Sequence, residues 1–490
     1  MLSRWLGVWC PFVAMDELLS RSAIQLADFI RRGEVSSLEV VEAHIAAIER
    51  CNPRINAVVA TRFEVARAEA QAADEQLGRS AEGLGVFHGV PCTIKESFAL
   101  EGMPNTAGLV TRQGRVADED ATAVARLRAA GAIPLGVTNV SELCMWLESS
   151  NRVYGRTANP YDAARIPGGS SGGEGAIVGA GASPIGLGAD IGGSIRLPAF
   201  FCGAFGHKPT GGMVPGTGQF PIAENDALRY MTTGPIVRRA EDLHPFLKVI
   251  AGPDGIDPEC REFDLGDPAG VAIDHLSVVY VADNGVTPVS AELRAAHRRC
   301  ADHLDRGGAR VREAQIPGLR RSFEIWGAML GAASDTSFSE LLGEGEAIGV
   351  ARELARWAFG RSPHTLAALG LAAVEKVPLF HGRRGAALVA AGQQLQQDLE
   401  AVIGAEGVML FPVYPEVAPR HHVPLLRPHA AAYTAIINVM ELPSTQVPLG
   451  LNENGLPLGV QVVGARGNDH LTIAVAAELE HAFGGWVPPP

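Results

Sequence analysis

The chain has 490 residues, 47% apolar and only 19% charged, which assures a sizeable core and excludes a disordered protein. A formal net charge of −13 with no Lys/Arg run excludes a nucleic-acid partner, because phosphate binding needs a basic stripe. The seven cysteines (Cys10, Cys51, Cys92, Cys144, Cys202, Cys260 and Cys300) are odd in number and form no C-x-x-C pair, which excludes a disulfide framework and a cysteine zinc site.

The first fifteen residues, MLSRWLGVWCPFVAM, carry one charge, Arg4, ahead of a mostly apolar run. The run is shorter than the roughly 20 residues that span a bilayer, and no small-x-small cleavage site follows it. It reads as an interfacial anchor, or as an extension upstream of a start at Met15. Ser22 with Gln25 then forms a capping box for a helix through Arg32, stopped by Gly33. Ser36 with Glu39 caps a second helix ending near Asn52-Pro53, with Val40, Val41, Ile45 and Ile48 on one face. GVPCTIKES reads as a short apolar strand, EDATAVARLRAAG as a helix and AIPLGVTN as a strand, and this alternation predicts an α/β sandwich with a largely parallel sheet. Further on come a small-residue helix over Glu174–Gly181, a strand over Pro184–Asp190, and a helix begun by Pro198. Asp254–Asp267 and Asp283–Gly285 read as surface loops. The segment Glu340–Glu400 reads as helical, and its apolar stretch TLAALGLAAVEKVPLF, Thr365 to Phe380, reads as core or as a patch touching a membrane surface. No repeat or linker divides the chain, so it forms one domain. The histidines include no H-E-x-x-H, and adjacent His421 and His422 point in different directions, a poor shared metal site.

Two glycine clusters, Gly168–Gly173 and Gly192–Gly193, leave backbone N–H groups uncovered and able to cradle an anion or oxyanion. Ser194 follows the second cluster, past a strand end and ahead of a helix, where α/β folds place their sites. G-x-S-x-G occurs around Ser170 and Ser171, but a nucleophile elbow needs a strand running into the turn, and Ala163–Pro167 is a poor one. A phosphate loop is excluded, since G-x-x-x-x-G-K-[ST] is absent and proline follows Lys208. Close packing is the plain reading of the glycines. A serine nucleophile needs a base that is unprotonated near pH 7, and no histidine lies within thirty positions of PGGSSGGEG. A lysine can serve if burial pulls its pKa down from about 10.4. Lys95, the only lysine in the first two hundred residues, ends the apolar strand VPCTIK. Its plain reading is an ion pair with Glu96 or another carboxylate.

The run Gly168–Thr210, with GGSSGG and DIGGSIRLPA, and the upstream IKESF resemble the amidase signature family of serine hydrolases. Within it, GGSSGGEG, FFCGAFGHKPT, VAPRHHVPL and LPLGVQVVGARGNDHLTIAVAAELEHAFGGW are similar to the fatty-acid amide hydrolase branch, above all its second, membrane-anchored type. The likeness runs from about Met15 to the C-terminus. It implies a single domain over 15–490 around a mixed, mostly parallel twisted sheet with helices on both faces, preceded by an apolar extension over 1–14. It also implies a Ser-cisSer-Lys triad: Ser194 as nucleophile, Ser170 as bridging serine on a cis peptide bond, and Lys95 as base. Backbone N–H groups of Ile191, Gly192, Gly193 and Ser194 would form the oxyanion hole. Asp190 and Arg196 would fix that loop, Ser171 would steady the cis turn, and Cys144, Met145 and Trp146 would border the acyl channel. The implied protein uses no metal or cofactor and is a homodimer; the unpaired cysteines read as reduced thiols of a cytoplasmic protein, and the patch Thr365 to Phe380 is the candidate for peripheral membrane contact, where the membrane-anchored relatives use a spanning segment. The implied activity is hydrolysis of hydrophobic carboxamides, fatty-acyl or aryl, and related esters. The alternatives are a glutamine amidase acting within a tRNA-dependent amidotransferase complex, and a silent binding protein, which the occupied triad positions disfavour.

Overall fold

A short helix, Met15–Leu18, and then two capped helices begin the described chain, which in this computed structural model covers residues 15–490 except 376, 378, 379 and 381. The extension expected over residues 1–14, with Cys10, lies outside the described residues. Ser22 caps the helix Ala23–Arg31 by accepting from the Gln25 N–H at 3.0 Å, but Gln25 does not reciprocate, because its side chain donates to Glu241 at 2.8 Å. Ser36 and Glu39 do form the reciprocal box ahead of the helix Ser37–Ile55. That helix continues past Asn52-Pro53, with Pro53 inside its last turn. The missing proline N–H removes one helical bond, and the Asn52 side chain ties off the exit by accepting from the N–H groups of Ala57 at 2.7 Å and Val58 at 2.9 Å.

The strands are β1 (Val58–Thr61), β2 (Pro91–Lys95), β3 (Ile133–Thr138), β4 (Ser150–Asn151), β5 (Gly155–Arg156), β6 (Ile185–Asp190), β7 (Phe205–Lys208), β8 (Thr232–Val237), β9 (Ser277–Tyr280), β10 (Arg310–Glu313), β11 (Gly407–Phe411), β12 (Ser444–Leu451) and β13 (Pro457–Gly464). β4 and β5 form a small ribbon, and the rest make one 11-stranded sheet in the order β1-β3-β2-β6-β8-β7-β12-β13-β11-β9-β10. The pairings β3–β2–β6 and β11–β9–β10 are parallel, as helical crossovers require. The run from β6 through β8, β7, β12 and β13 to β11 is antiparallel, so the sheet is mixed, with a smaller parallel share than the strand–helix alternation suggests. Alternation along the chain registers helical crossovers but not strands that return beside distant partners, and these fill the middle. Every residue of β2, β3 and β6 is buried, because helices cover both faces.

The small-residue helix spans Gly172–Gly179 and lies against the helix Arg196–Phe201. A Cβ at Gly179 would sit 2.3 Å from the Cys202 carbonyl oxygen, and one at Gly175 would sit 2.6 Å from Pro198 Cβ. Pro198 is the third residue of its helix rather than the first. The Asp190 carboxylate accepts from the N–H groups of Ile195 at 3.0 Å and Arg196 at 3.4 Å, and this acid sets the start.

The segment Glu340–Glu400 is not continuous helix. It divides among Phe338–Leu342, Val350–Ala358, Leu366–Val374 and Gly382–Ile403, with glycines such as Gly343, Gly345 and Gly360 in the breaks. In the apolar stretch Ala368 and Ala372 pack into a cluster with Leu109 and Leu143, while Val374 and Val377 stay 43% and 40% exposed, so the stretch is both core and surface. No described helix is long and apolar enough to cross a membrane.

Gly179→Ala forces the two helices apart, and overpacking of this kind costs about 1–3 kcal/mol. The urea midpoint should fall accordingly; an unchanged midpoint would show that the contact yields freely.

Candidate active site

β2 carries Lys95 at its C-terminal end, paired with Thr138 at the end of β3 and running parallel to β6 on its other side. Lys95 Nζ donates to Ser170 Oγ at 2.9 Å, and both residues are 1% exposed. Burial lowers the Lys95 pKa, opposed by the neighbouring Cys144 thiol and by Asp190. The expected ion pair with Glu96 is not formed. Successive residues of a strand face opposite ways, and Glu96 instead accepts from Thr106 and Tyr154 on the other side.

Behind the lysine lies Glu174, from the small-residue helix, accepting from the hydroxyls of Thr93 at 2.6 Å and Thr138 at 2.8 Å. Burial pushes its pKa up to about 8, against the Thr93 and Thr138 hydrogen bonds and the Lys95 charge, which weakens its hold on Lys95 as an ammonium. Sequence reasoning missed this residue, although an acid buried in a glycine-rich helix beside the serines was the available signal.

Ser170 follows a cis peptide bond from Gly169. Its carbonyl accepts from Ser149 Oγ at 3.0 Å, and Ser149 in turn accepts from the Gly172 N–H at 2.9 Å. Ser171 Oγ donates to the Ala189 carbonyl at 3.2 Å, which fastens the turn to β6. Its N–H donates to the Ser194 carbonyl at 3.3 Å, which joins the two serine-bearing loops. Among the described residues no hydrogen bond connects the Ser194 hydroxyl to Ser170. Ser194 is 8% exposed, more open than Lys95, Ser170 or Ser171.

The loop before Ser194 is held by Asp190 and Arg196. Arg196 Nη2 and Nε reach the two carboxylate oxygens at 3.0 and 3.1 Å, and the remaining guanidinium donors go to Gln461 at 2.9 Å, Asn438 at 2.6 Å and the Thr434 carbonyl at 3.0 Å. Burial alone would raise the Asp190 pKa, but the Arg196 charge and hydrogen bonds overcome it and hold the acid well below the usual carboxylate range. Trp326 Nε1 donates to the Ile191 carbonyl at 3.1 Å, and Thr434 Oγ1 to that of Gly192 at 2.9 Å. The Gly193 N–H differs from the expectation: it donates to Asp190 Oδ1 at 2.6 Å and is not free for an oxyanion. Among the described residues no acceptor holds the N–H groups of Ile191, Gly192 and Ser194. Trp326, Thr434, Asn438 and Gln461 come from far downstream with no local pattern to mark them.

Cys144 stands beside Lys95, and Met145 packs against Leu109, Leu143 and the helix Leu366–Val374. The Trp146 carbonyl lies 2.5 Å from where a Gly169 Cβ would be, so this segment backs the cis turn. His421 Nδ1 pairs with Glu148 Oε1 at 2.6 Å and the His422 N–H donates to Glu148 Oε2 at 3.1 Å, which clamps the same segment from behind. Among the described residues no group of three His, Cys, Asp or Glu side chains is placed to hold a metal ion.

The family model for amidases matches residues 39–473. Fatty-acid amide hydrolase 2-A of Danio rerio is 47% identical, covering 97% of this chain and 91% of its own. Indoleacetamide hydrolase of Bradyrhizobium diazoefficiens is 33% identical, covering 94% of this chain and 86% of its own. The solved structure of 6-aminohexanoate cyclic dimer hydrolase superposes with a TM-score of 0.78 at 29% identity, covering 95% of this chain and 97% of that one.

Gly193 has φ +119, and a Cβ there would meet Thr434 Oγ1 at 2.2 Å. Gly193→Ala must therefore turn the Ile191–Gly193 amides, and turnover should fall about 100-fold, the scale of one lost oxyanion donor. Retained turnover with an unchanged fold by circular dichroism would contradict this.

Proposed function

The chain belongs to the amidase family and is a hydrolase acting on amide bonds, and from that premise we propose that Ser194, Ser170 and Lys95 cleave hydrophobic carboxamides through an acyl-enzyme. The observation that carries the reading is the Lys95 Nζ to Ser170 Oγ hydrogen bond at 2.9 Å, made by a lysine whose burial disfavours its charged form. Neutral Lys95 takes the Ser170 hydroxyl proton as Ser170 takes that of Ser194, and Ser194 Oγ bonds to the amide carbon. The carbonyl oxygen becomes an oxyanion, received by the N–H groups of Ile191, Gly192 and Ser194. The proton returns by the same route to the nitrogen, the C–N bond breaks, and the amine leaves neutral. Water then attacks the acyl-enzyme, gives its proton to the relay, and releases the acid with Ser194 restored.

A preference for apolar acyl groups is supported by the cluster of Leu109, Leu143 and Met145 with the helix Leu366–Val374, whose Leu143 and Met145 flank Cys144, a neighbour of Lys95. The name of the Danio rerio relative agrees with it. Val374 and Val377, exposed at the end of that helix, support peripheral contact with a lipid surface.

The test is hydrolysis of amides from acetamide through benzamide to long-chain acyl anilides by the parent, Ser194→Ala and Lys95→Ala proteins. The parent rate should rise with acyl size, Ser194→Ala should show none, and Lys95→Ala should lose most at neutral pH. Activity only on glutamine with added amidotransferase partners would overturn the reading in favour of an amidotransferase.

The sign of the pH dependence is fixed by the base. Protonated Lys95 cannot accept a proton, so kcat/KM rises with pH through the folded pKa of Lys95, which burial places below the ordinary value of about 10.4. A profile flat across that range would contradict a lysine base.

A further inference from the structure

Glu96 is fully buried next to Lys95 in sequence, yet the catalytic relay does not use it. Its carboxylate is the acceptor for four donors: the Thr106 N–H at 2.7 Å, Thr106 Oγ1 at 2.6 Å, Tyr154 OH at 2.6 Å and the Ala107 N–H at 2.8 Å. The segments packed beyond this carboxylate have left-handed backbone at Ala107 (φ +48), Leu143 (+52) and Cys144 (+58), although none is glycine. Such conformations persist where surrounding bonds over-determine them. Here the Leu143 N–H donates to the Ala107 carbonyl at 2.8 Å, so one left-handed segment braces the other. Ala107, Val140 and Cys144 also pack together, with Phe220 against them.

A continuous path therefore runs from Glu96 through Thr106–Ala107 to the turn Leu143–Met145, which flanks Lys95 on one side and the apolar wall on the other. We propose that Glu96 is a positioning residue for acyl selectivity, holding this turn at the distance from Ser194 and Lys95 that a long apolar acyl group requires. The inference rests on the reading of Met145 and its neighbours as the acyl wall. A short acyl group does not reach that wall and should be indifferent to Glu96, whereas a long one should not. Glutamine at this position presents an NH2 group to the Ala107 N–H and loosens the brace without changing side-chain size. Tyr154→Phe removes one of the four donors and leaves the carboxylate in place.

The experiment measures kcat and KM for acetyl, hexanoyl and dodecanoyl anilides with the parent, Glu96→Gln and Tyr154→Phe proteins, together with the pH profile on the acetyl compound. Glu96→Gln should lower kcat/KM at least about ten-fold for the dodecanoyl anilide and no more than about three-fold for the acetyl one, mostly through KM. The acetyl pH profile should keep its parent shape. Tyr154→Phe should move selectivity the same way by a smaller factor, and it decides the matter if Glu96→Gln does not fold. Equal losses across acyl lengths, or a displaced pH profile, would make Glu96 a support for the chemistry or the fold and overturn the inference. A parent that cleaves no anilide overturns the amide reading and this inference with it; an active parent with equal losses overturns the inference alone.

Discussion

Taking an ammonium out of water costs several kcal/mol even after relaxation, and Lys95 has been taken out almost entirely. Among the described residues no carboxylate hydrogen-bonds to it: Glu96 turns to the far side of the strand, and Glu174 is itself pushed toward its neutral form. What Lys95 has is the Ser170 hydroxyl, with Cys144 beside it. Burial thus disfavours the charge on an amine held by these two, and an uncharged amine is the state a base requires before it acts. Removing water at this point makes a lysine useful where a histidine is absent, and the sheet supplies the dryness by burying β2 on both faces.

The loop before Ser194 shows the opposite solution to burial. Asp190 and Arg196 are also out of water, but there the charges are retained because each donor and acceptor finds a partner: Gln461, Asn438, Thr434 and the amides of Gly193 and Ile195. A buried pair satisfied in this way is costly to break on one side. It fixes the loop while Trp326 and Thr434 hold the carbonyls of Ile191 and Gly192. Two solutions to burial, a lysine whose charge burial disfavours and a charged pair fully satisfied by hydrogen bonds, stand side by side at one strand end.

Much of this is legible in the sequence. The strands β2, β3 and β6 are short apolar runs, and the capped helices near the N-terminus carry their own stop signals. The serines stand out by their glycine clusters and Lys95 by the scarcity of lysine, although their division of labour follows from a family resemblance rather than from spacing. The rest depends on contacts between distant segments. Trp326, Thr434, Asn438 and Gln461 reach the loop from helices and strands far along the chain, and nothing in their local sequence marks them. Adjacency in the chain suggests Glu96 as the partner of Lys95, whereas strand alternation sends their side chains apart. The assignment of the Gly193 amide to Asp190 rather than to an oxyanion is set by a turn geometry that composition does not encode.

The central claim is that Ser194 is a nucleophile activated by Lys95 through Ser170. Labelling with a fluorophosphonate, followed by peptide mass spectrometry, tests it most directly, because the reagent records which serine oxygen attacks and how fast. The account predicts one adduct, on Ser194, formed at least about 100-fold more slowly in Lys95→Ala at neutral pH. An adduct on Ser170 or Ser171, or an undiminished rate in the lysine variant, would contradict it.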